Sequence, residues 1–209
     1  MTQRLPKSAL WFACGNVFLR TIKREDASER WAAWLADPWT IAAVNPPRTT
    51  LGRKEIADYI RSFDQRAHLL LGIFERHSRR HVGVIRVDID AELREAFVSA
   101  LIGEAEVRNS GATTFAFEAL LNHLFFTMKL ARVSASVLER NRVTLGYLAK
   151  LGWTEQGEAV STRANDTGEP LRAVRVGIDA EGYRAFRASP LGQRVLRRIA
   201  DAARRAERR

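Results

Sequence analysis

The spacing of apolar residues along the chain predicts strands and helices that follow one another in mixed order. Strands are predicted where apolar residues alternate with polar ones or form short runs, at 17–22, 68–74, 81–89, 97–102, 132–138, from 153 and at 171–178. Helices are predicted where apolar residues recur every three or four positions, at 27–36, 53–65, 112–129, 142–151 and 190–206. This order predicts an α/β (α+β) fold, a mixed sheet of about seven strands flanked by helices.

Local signals set the ends of several helices. Asp26, Asn141 and Ser189 are the residue types that cap a helix start, and Pro190 suits a first helical position. Asp37-Pro38 is expected to end the first helix and to lead into a loop. The apolar run 9–14 is expected to be a leader into the first strand at 17–22, because it is short and no cleavage site of small residues follows it.

Length and composition favour a globular protein of a reducing compartment. The 209 residues suffice for one domain, expected over 1–180, with a basic helical extension over 181–209. Cys14 is the single cysteine, which excludes a disulfide within the chain. No apolar run reaches the ~18 residues that a membrane-spanning helix needs. We therefore expect a cytoplasmic protein.

The positive charge is concentrated near the end of the chain. The formal net charge is +10, and from Tyr183 onward nine arginines face only Asp201 and Glu207. The rest of the chain is nearly balanced, so the charge is weak evidence for a nucleic-acid substrate. The basic helix is expected to dock on its own domain or on a second subunit of a homodimer. Contact with RNA or another acidic partner is the alternative.

A polar loop opens the helix that follows strand 97–102. It reads Arg108-Asn109-Ser110-Gly111-Ala112-Thr113-Thr114. The first-turn N–H groups of a helix have no partner within it, and the helix dipole favours an anion there. Gly111 permits close backbone approach, and Arg108 can add a charge-assisted contact. The loop is therefore a candidate pyrophosphate cradle, with a plain turn as the alternative.

Three stretches together resemble the GNAT superfamily of N-acetyltransferases, in the branch with ribosomal-protein, polyamine and aminosugar acetyltransferases. Leu-Ile-Gly-Glu at 101–104 precedes the Arg-x-x-Gly-x-Thr-Thr loop of 108–114. Leu-Ala-Arg-Val at 130–133 is followed by Val-Leu-Glu-Arg-Asn at 137–141, and Thr-Leu-Gly-Tyr-Leu-Ala-Lys-Leu-Gly-Trp stands at 144–153. The resemblance covers 17–178 and implies a mostly antiparallel sheet and transfer of an acetyl group from acetyl-CoA to an amine, without a metal.

The resemblance also assigns residues to the cofactor. In this family the pantetheine arm lies between two splayed strands, while the loop holds the pyrophosphate. Cofactor contacts are therefore expected from Leu101, Ile102, Gly103, Arg108, Asn109, Ser110, Gly111, Ala112, Thr113, Thr114 and Asn141. Thr144 is the expected hydrogen-bond donor to the departing thiolate. Asn141 also suits a simple helix cap.

The chain departs from the family pattern at three positions. Thr113 stands where a smaller residue is usual, and Phe115 where Glu often follows. Leu148 replaces the Tyr that many members use as an acid, with Tyr147 one position early. One position on a helix rotates a side chain by ~100°, so Tyr147 is not expected to substitute. These departures motivate a rival function, a catalytically weak or regulatory protein that binds acyl-CoA. A nucleic-acid-binding protein, motivated by the basic end of the chain, is the less favoured alternative.

Acetyl transfer to an amine also needs a base that keeps the amine neutral. Glu104, just after strand 97–102, is the first candidate, and Asp88 is the second. A solvated loop carboxylate is the alternative for Glu104. Cys14 lies outside the site by resemblance, which favours direct attack by a small-molecule or peptide amine in a ternary complex. His77 and His81 flank a turn, which argues against a metal site.

Overall fold

The fold is described by a computed structural model for residues 9–45, 51–108, 110–164, 168 and 170–208. The strands are β1 Trp11–Cys14, β2 Val17–Thr21, β3 His68–Glu75, β4 His81–Asp90, β5 Glu95–Ile102, β6 Arg132–Leu138, β7 Thr154–Ala164 and β8 Pro170–Asp179. The helices are α1 Glu29–Ala36, α2 Pro38–Val44, α3 Arg53–Arg61, α4 Ala112–Asn122, α5 Arg142–Lys150, α6 Ala180–Ala188 and α7 Pro190–Glu207. A π turn, His123–Thr127, extends α4.

The strands form one mixed sheet in the order β1-β2-β3-β4-β5-β6-β8-β7. Within the described residues β5 and β6 are parallel, and the remaining neighbours are antiparallel. The predicted fold class, a mostly antiparallel mixed sheet flanked by helices, is confirmed. The sheet has eight strands rather than about seven.

The additional strand is β1, in the segment that we expected to be a leader. Gly15 adopts φ 61° and begins a tight turn, after which Val17 pairs with Cys14. The ring of Phe115 comes within 2.5 Å of the place that a Cβ on Gly15 would take. A larger residue at position 15 would therefore displace α4 from the turn. The segment that we expected to be a leader into the first strand is itself a strand, paired with β2.

The region after β2 also differs from the prediction. Asp26 accepts from Arg20 at 2.6 and 2.7 Å instead of capping α1, and Ser28 Oγ takes the Trp31 N–H. Asp37 ends α1 as predicted, but its side chain also accepts the Thr40 N–H and starts α2. Proline at the first position of α2 costs no hydrogen bond, because that N–H has no helical partner.

The helices cover the two faces of the sheet with separate cores. Helices α1 and α3 pack on one face, over Leu70, Phe74 and Leu101. Helices α4, α5 and α6 pack on the other face, over residues such as Ile85 and Val133. The connection from β5 to β6 therefore passes over the second face, and α4 begins where β5 ends.

The basic extension packs on the second core as two helices rather than one. Tyr183 of α6 is fully buried, and its ring centroid lies 5.2 Å from that of Phe125. Arg187 pairs with Glu118 of α4, which is buried. Ser189 caps α7 as predicted. Ala202 of α7 is buried in the same core, so this helix packs on it as well.

Candidate active site

The parallel strands β5 and β6 separate to form a wedge in the middle of the sheet. They pair only where Glu95–Phe97 meets Arg132–Ser134. Beyond this contact β5 continues to Ile102 and β6 to Leu138, and the two strands no longer pair with each other. Both strands thus leave one backbone edge free along the wedge, which opens toward the starts of α4 and α5.

The hydrogen bonds at the ends of β5 show which of its residues face the wedge. Gly103 N–H donates to Val82 O at 2.9 Å, toward β4. At the other end, Arg94 O accepts from Ala131 N–H at 2.6 Å, toward β6. Backbone groups point to alternate sides along an antiparallel strand. The residues whose N–H and C=O groups face the wedge are therefore Val98, Ala100 and Ile102.

This direction bears on the expected backbone contacts with pantetheine. Among the three residues that we expected to offer backbone groups, only Ile102 faces the wedge. Leu101 is paired with Val84 of β4, and Gly103 is bonded to Val82. Sequence could not show the direction, because the alternation depends on the register with β4.

The start of α4 has the backbone geometry of an anion cradle. Gly111 precedes the helix with φ 91°, and its carbonyl accepts the first helical bond, from Phe115 N–H at 3.0 Å. Ser110 Oγ accepts from Ala112 N–H at 3.2 Å and donates to Val107 O. Among the described residues, the N–H groups of Thr113 and Thr114 precede the helical ladder and have no such side-chain partner. Asn109 lies outside the described residues.

Arg108 braces this loop instead of facing an open phosphate site. Its guanidinium donates to Ile102 O at 3.2 Å, to Gly103 O at 2.7 Å and to Asp37 at 2.8 Å. It also lies 4.3 Å from the centroid of the Trp39 ring. Burial favours a higher pKa for Asp37, but bonds from Thr40 and Arg108 lower it. The arrangement differs from the expected phosphate contact because carbonyls and a carboxylate already occupy these donors.

Glu104 is buried at the end of β5 and is fully engaged. Its carboxylate accepts from Arg30 at 2.6 and 2.8 Å and from Trp34 Nε1 at 2.7 Å. A Cβ on Gly103 would lie 1.9 Å from the Trp34 ring, so the glycine allows the indole to reach the carboxylate. For this carboxylate to act on a substrate, at least one of these contacts would have to loosen.

Asp88 lies far from Glu104. It stands opposite Phe97 in the sheet, near the closed end of the wedge, and contacts His68 at 2.8 Å and Arg86 at 2.7 Å. Glu104 follows Phe97 by seven positions, the last two of them beyond the end of β5, which amounts to roughly 20 Å at the rise of an extended chain. The two carboxylates therefore cannot serve the same reacting atom, and the candidate bases are alternatives.

Thr144 lies in the first turn of α5, at the open end of the wedge. Its N–H donates to Asn141 Oδ1 at 3.1 Å, so Asn141 caps the helix. The next turn places Leu148 in the core and directs Tyr147 to the start of α4, where its hydroxyl bonds that of Thr114. Burial raises the pKa of Tyr147, which keeps this hydroxyl protonated.

Helix α2 bridges the open end of the wedge. Its first residue follows Asp37, which is bound to Arg108 beside β5. Its last turn accepts from Arg140, which follows β6: the guanidinium donates to Ala42 O at 2.9 Å and to Ile41 O at 3.3 Å. Sequence reasoning missed this helix, although the Asp-Pro start was a usable signal.

A comparison with known protein families shows which family the chain belongs to. Residues 16–154 match the family model described as the acetyltransferase (GNAT) domain. The chain belongs to the GNAT acetyltransferase family. The matched region runs from the turn before β2 to the first residue of β7, so it includes the wedge and the starts of α4 and α5.

Individual GNAT relatives are distant. The probable N-acetyltransferase YjcK of Bacillus subtilis (strain 168) is 28% identical over 109 residues. These are 51% of this chain and 60% of that protein, so the match spans less than two thirds of the relative.

Solved GNAT structures share the fold at lower identity. The ribosomal-protein-S5-alanine acetyltransferase from Vibrio fischeri has a TM-score of 0.70 at 16% identity, covering 83% of this chain and 98% of that one. Spermidine N-acetyltransferase from Vibrio cholerae, in complex with CoA and spermine, has a TM-score of 0.70 at 15% identity, covering 81% and 98%. Among the described residues of the present GNAT chain, no helix is long and apolar enough to cross a membrane.

Proposed function

We propose that this protein transfers an acetyl group from acetyl-CoA to a primary amine by direct attack while both substrates are bound. The observation that carries the proposal is the wedge between β5 and β6, which opens at the start of α4. It brings a free strand edge and an anion cradle together on consecutive elements. Membership of the GNAT family supports acetyl-CoA as the acyl donor.

The residues present fit a CoA thioester. The backbone groups of Val98 and Ala100 and the N–H of Ile102 suit the amides of an extended arm, which would lie in the wedge as an added strand. The Ile102 carbonyl already accepts from Arg108. The N–H groups of Thr113 and Thr114 suit phosphate oxygens, because the helix dipole adds to their partial charge. Acetyl-CoA, when bound, supplies an activated acetyl group on sulfur.

Side chains of this protein would then remove the proton of the amine and donate a hydrogen bond to the leaving thiolate. The Thr144 hydroxyl is proposed to donate a hydrogen bond to the departing sulfur. Glu104 remains the first candidate for the base, acting through a water molecule, and Asp88 the second. Asn141 remains a proposed cofactor contact in addition to its role as the α5 cap.

The acceptor is proposed to be an amine on a small molecule or a peptide. The named structural neighbours include a spermidine and a ribosomal-protein-S5-alanine acetyltransferase, which support an amine without choosing between these classes. A homodimer, contact of the basic helix with RNA, and a cytoplasmic location stay predictions.

The first experiment measures the binding of CoA and acetyl-CoA by calorimetry. The second measures the release of the CoA thiol with three acceptors: spermidine, an aminosugar and a peptide with an N-terminal alanine. We expect binding of both ligands and transfer to at least one amine. Binding without transfer to any amine would favour the rival, a protein that only binds acyl-CoA. Binding of neither ligand would contradict the proposal.

Thr144 offers a matched pair of variants for the same assay. Thr144→Val removes the hydroxyl at nearly constant shape, and we expect kcat to fall by about tenfold or more with unchanged CoA affinity. Thr144→Ser keeps the hydroxyl and is expected to retain most of the activity. Equal kcat in the two variants would remove Thr144 from the mechanism.

A further inference from the structure

Helix α7 crosses the start of α4 and brings an arginine to it. Arg198 Nη2 lies 3.7 Å from the place that a Cβ on Gly111 would take. Within the described residues, Arg198 forms no hydrogen bond or ion pair. Its charge nevertheless acts on Tyr147, whose hydroxyl contacts Thr114 in the first turn of α4. A guanidinium from outside the matched family region thus stands beside the anion cradle.

The same helix lines an open-sided cavity of about 370 Å³ next to the cradle. One wall is the start of α4, with Ser110 and Phe115, and the opposite wall is α7, with Arg198 and Arg205. The turns after β1 and β3 form the base, including Asn16 and Glu75. The cavity is of the size that holds part of a small-molecule ligand.

The charges that face this cavity are predominantly positive. Glu75 is neutralised by Arg80 at 3.1 Å and also accepts from Ser78 Oγ at 2.8 Å. Arg205, like Arg198, has no ion-pair partner in the part of the chain that the structure describes. Two unpaired guanidinium groups and the positive end of α4 therefore converge on one cavity, which suits an anion with more than one charge.

We infer that Arg198 and Arg205 bind a phosphate group of the CoA cofactor and so complete its site from the extension. This inference rests on the proposed function, because it takes the cofactor from there. Guanidinium forks match phosphate oxygens in pairs, and these contacts are stronger than neutral hydrogen bonds. The extension would then be part of the enzyme's cofactor site, although it lies beyond the GNAT match at 16–154.

The test is calorimetry of the full chain with CoA and with dephospho-CoA, which lacks the ribose phosphate. We expect Arg198→Ala/Arg205→Ala to weaken CoA binding by about tenfold or more, and Arg198→Lys to lose less. A loss with both ligands would place the arginines at the diphosphate, and a loss with CoA alone at the ribose phosphate. Either result supports the inference.

Arg197→Ala is the matched control. Arg197 is the neighbouring exposed residue of α7 and does not line the cavity, so we expect its CoA affinity to equal that of the wild type. Unfolding temperatures should match among the variants, because these arginines are exposed.

Two results would overturn the inference while the proposed function stands. The double variant could bind CoA as tightly as the wild type, which would show that the arginines do not contact it. It could also bind more tightly, which would show that α7 obstructs the site. Failure of the wild type to bind CoA would overturn the inference together with the proposed function.

Discussion

His81 should make the stability of this protein sensitive to mild acid. The imidazole stands at the start of β4, where Nε2 contacts Gly83 O at 2.9 Å. Its Nδ1 is buried with no hydrogen-bond partner among the described residues. Rings surround it, with centroids of Trp31, Trp34 and Phe74 at 5.3, 5.0 and 4.8 Å. Burial in this cage lowers the pKa of His81 from 6.5 to about 4.

The size and sign of the effect follow from this pKa. Between pH 6.5 and 4 the unfolded chain holds a proton on His81 that the folded chain does not, so stability falls as the pH falls through this window. The contribution is nearly constant above pH 7 and again below the folded pKa. The whole shift corresponds to about 3 kcal/mol, and the loss between pH 7 and pH 5 to about 2 kcal/mol.

The measurement is urea unfolding followed by tryptophan fluorescence at both pH values. His81→Phe keeps an aromatic ring in the cage and removes the titration, so its loss of stability between pH 7 and 5 should be smaller by about 2 kcal/mol. Burial also lowers the pKa of His123, so His123→Gln serves as the background for both proteins. An equal loss with and without the His81 imidazole would refute the reasoning.

Two further predictions concern the end of β5. Gly103→Ala should displace Trp34 from its place against the backbone and destabilise the fold by roughly 1–3 kcal/mol, seen as a lower urea midpoint and altered fluorescence; an unchanged midpoint would contradict the packing. If Glu104 is the base, Glu104→Gln should lower kcat by about a hundredfold or more, whereas Arg30→Gln, which keeps the carboxylate, should lower kcat much less. If Glu104 only positions Trp34, the two variants should lower kcat by similar factors.

Periodicity predicted most of the fold because the core is built from regular faces. The stretch that became β5, α4 and β6 shows strand, helix and strand spacing in the right order, and Asn141 caps α5 as its sequence position suggests. The strand β1 was missed because it is a short edge strand with one buried residue, Cys14. Helix α2 was missed because Asp37-Pro38 is equally a stop and a start signal.

The side-chain partners of the site were beyond sequence reasoning. Glu104 meets Arg30, and Arg108 meets Asp37, across more than 70 positions of the chain. With 34 basic and 24 acidic residues, nothing in the sequence selects these pairs from the others. The pairing depends on α1 and α2 lying over the end of β5, which only the folded sheet fixes.

Glu104 and Arg108, the charged groups at the end of β5, are therefore already bound in ion pairs that hold the neighbouring elements in place. Arg108 and Glu104 fix the end of β5 to α1 and α2, and a change in either should alter the shape of the site as well as its chemistry. Within the part of the chain that the structure describes, the groups left without such partners are backbone groups of the wedge, the first turn of α4, the Thr144 hydroxyl and the guanidinium groups of Arg198 and Arg205. A variant that changes catalysis without changing the fold should therefore be sought at Thr144, and one that changes binding without changing the fold at Arg198, rather than among the buried ion pairs.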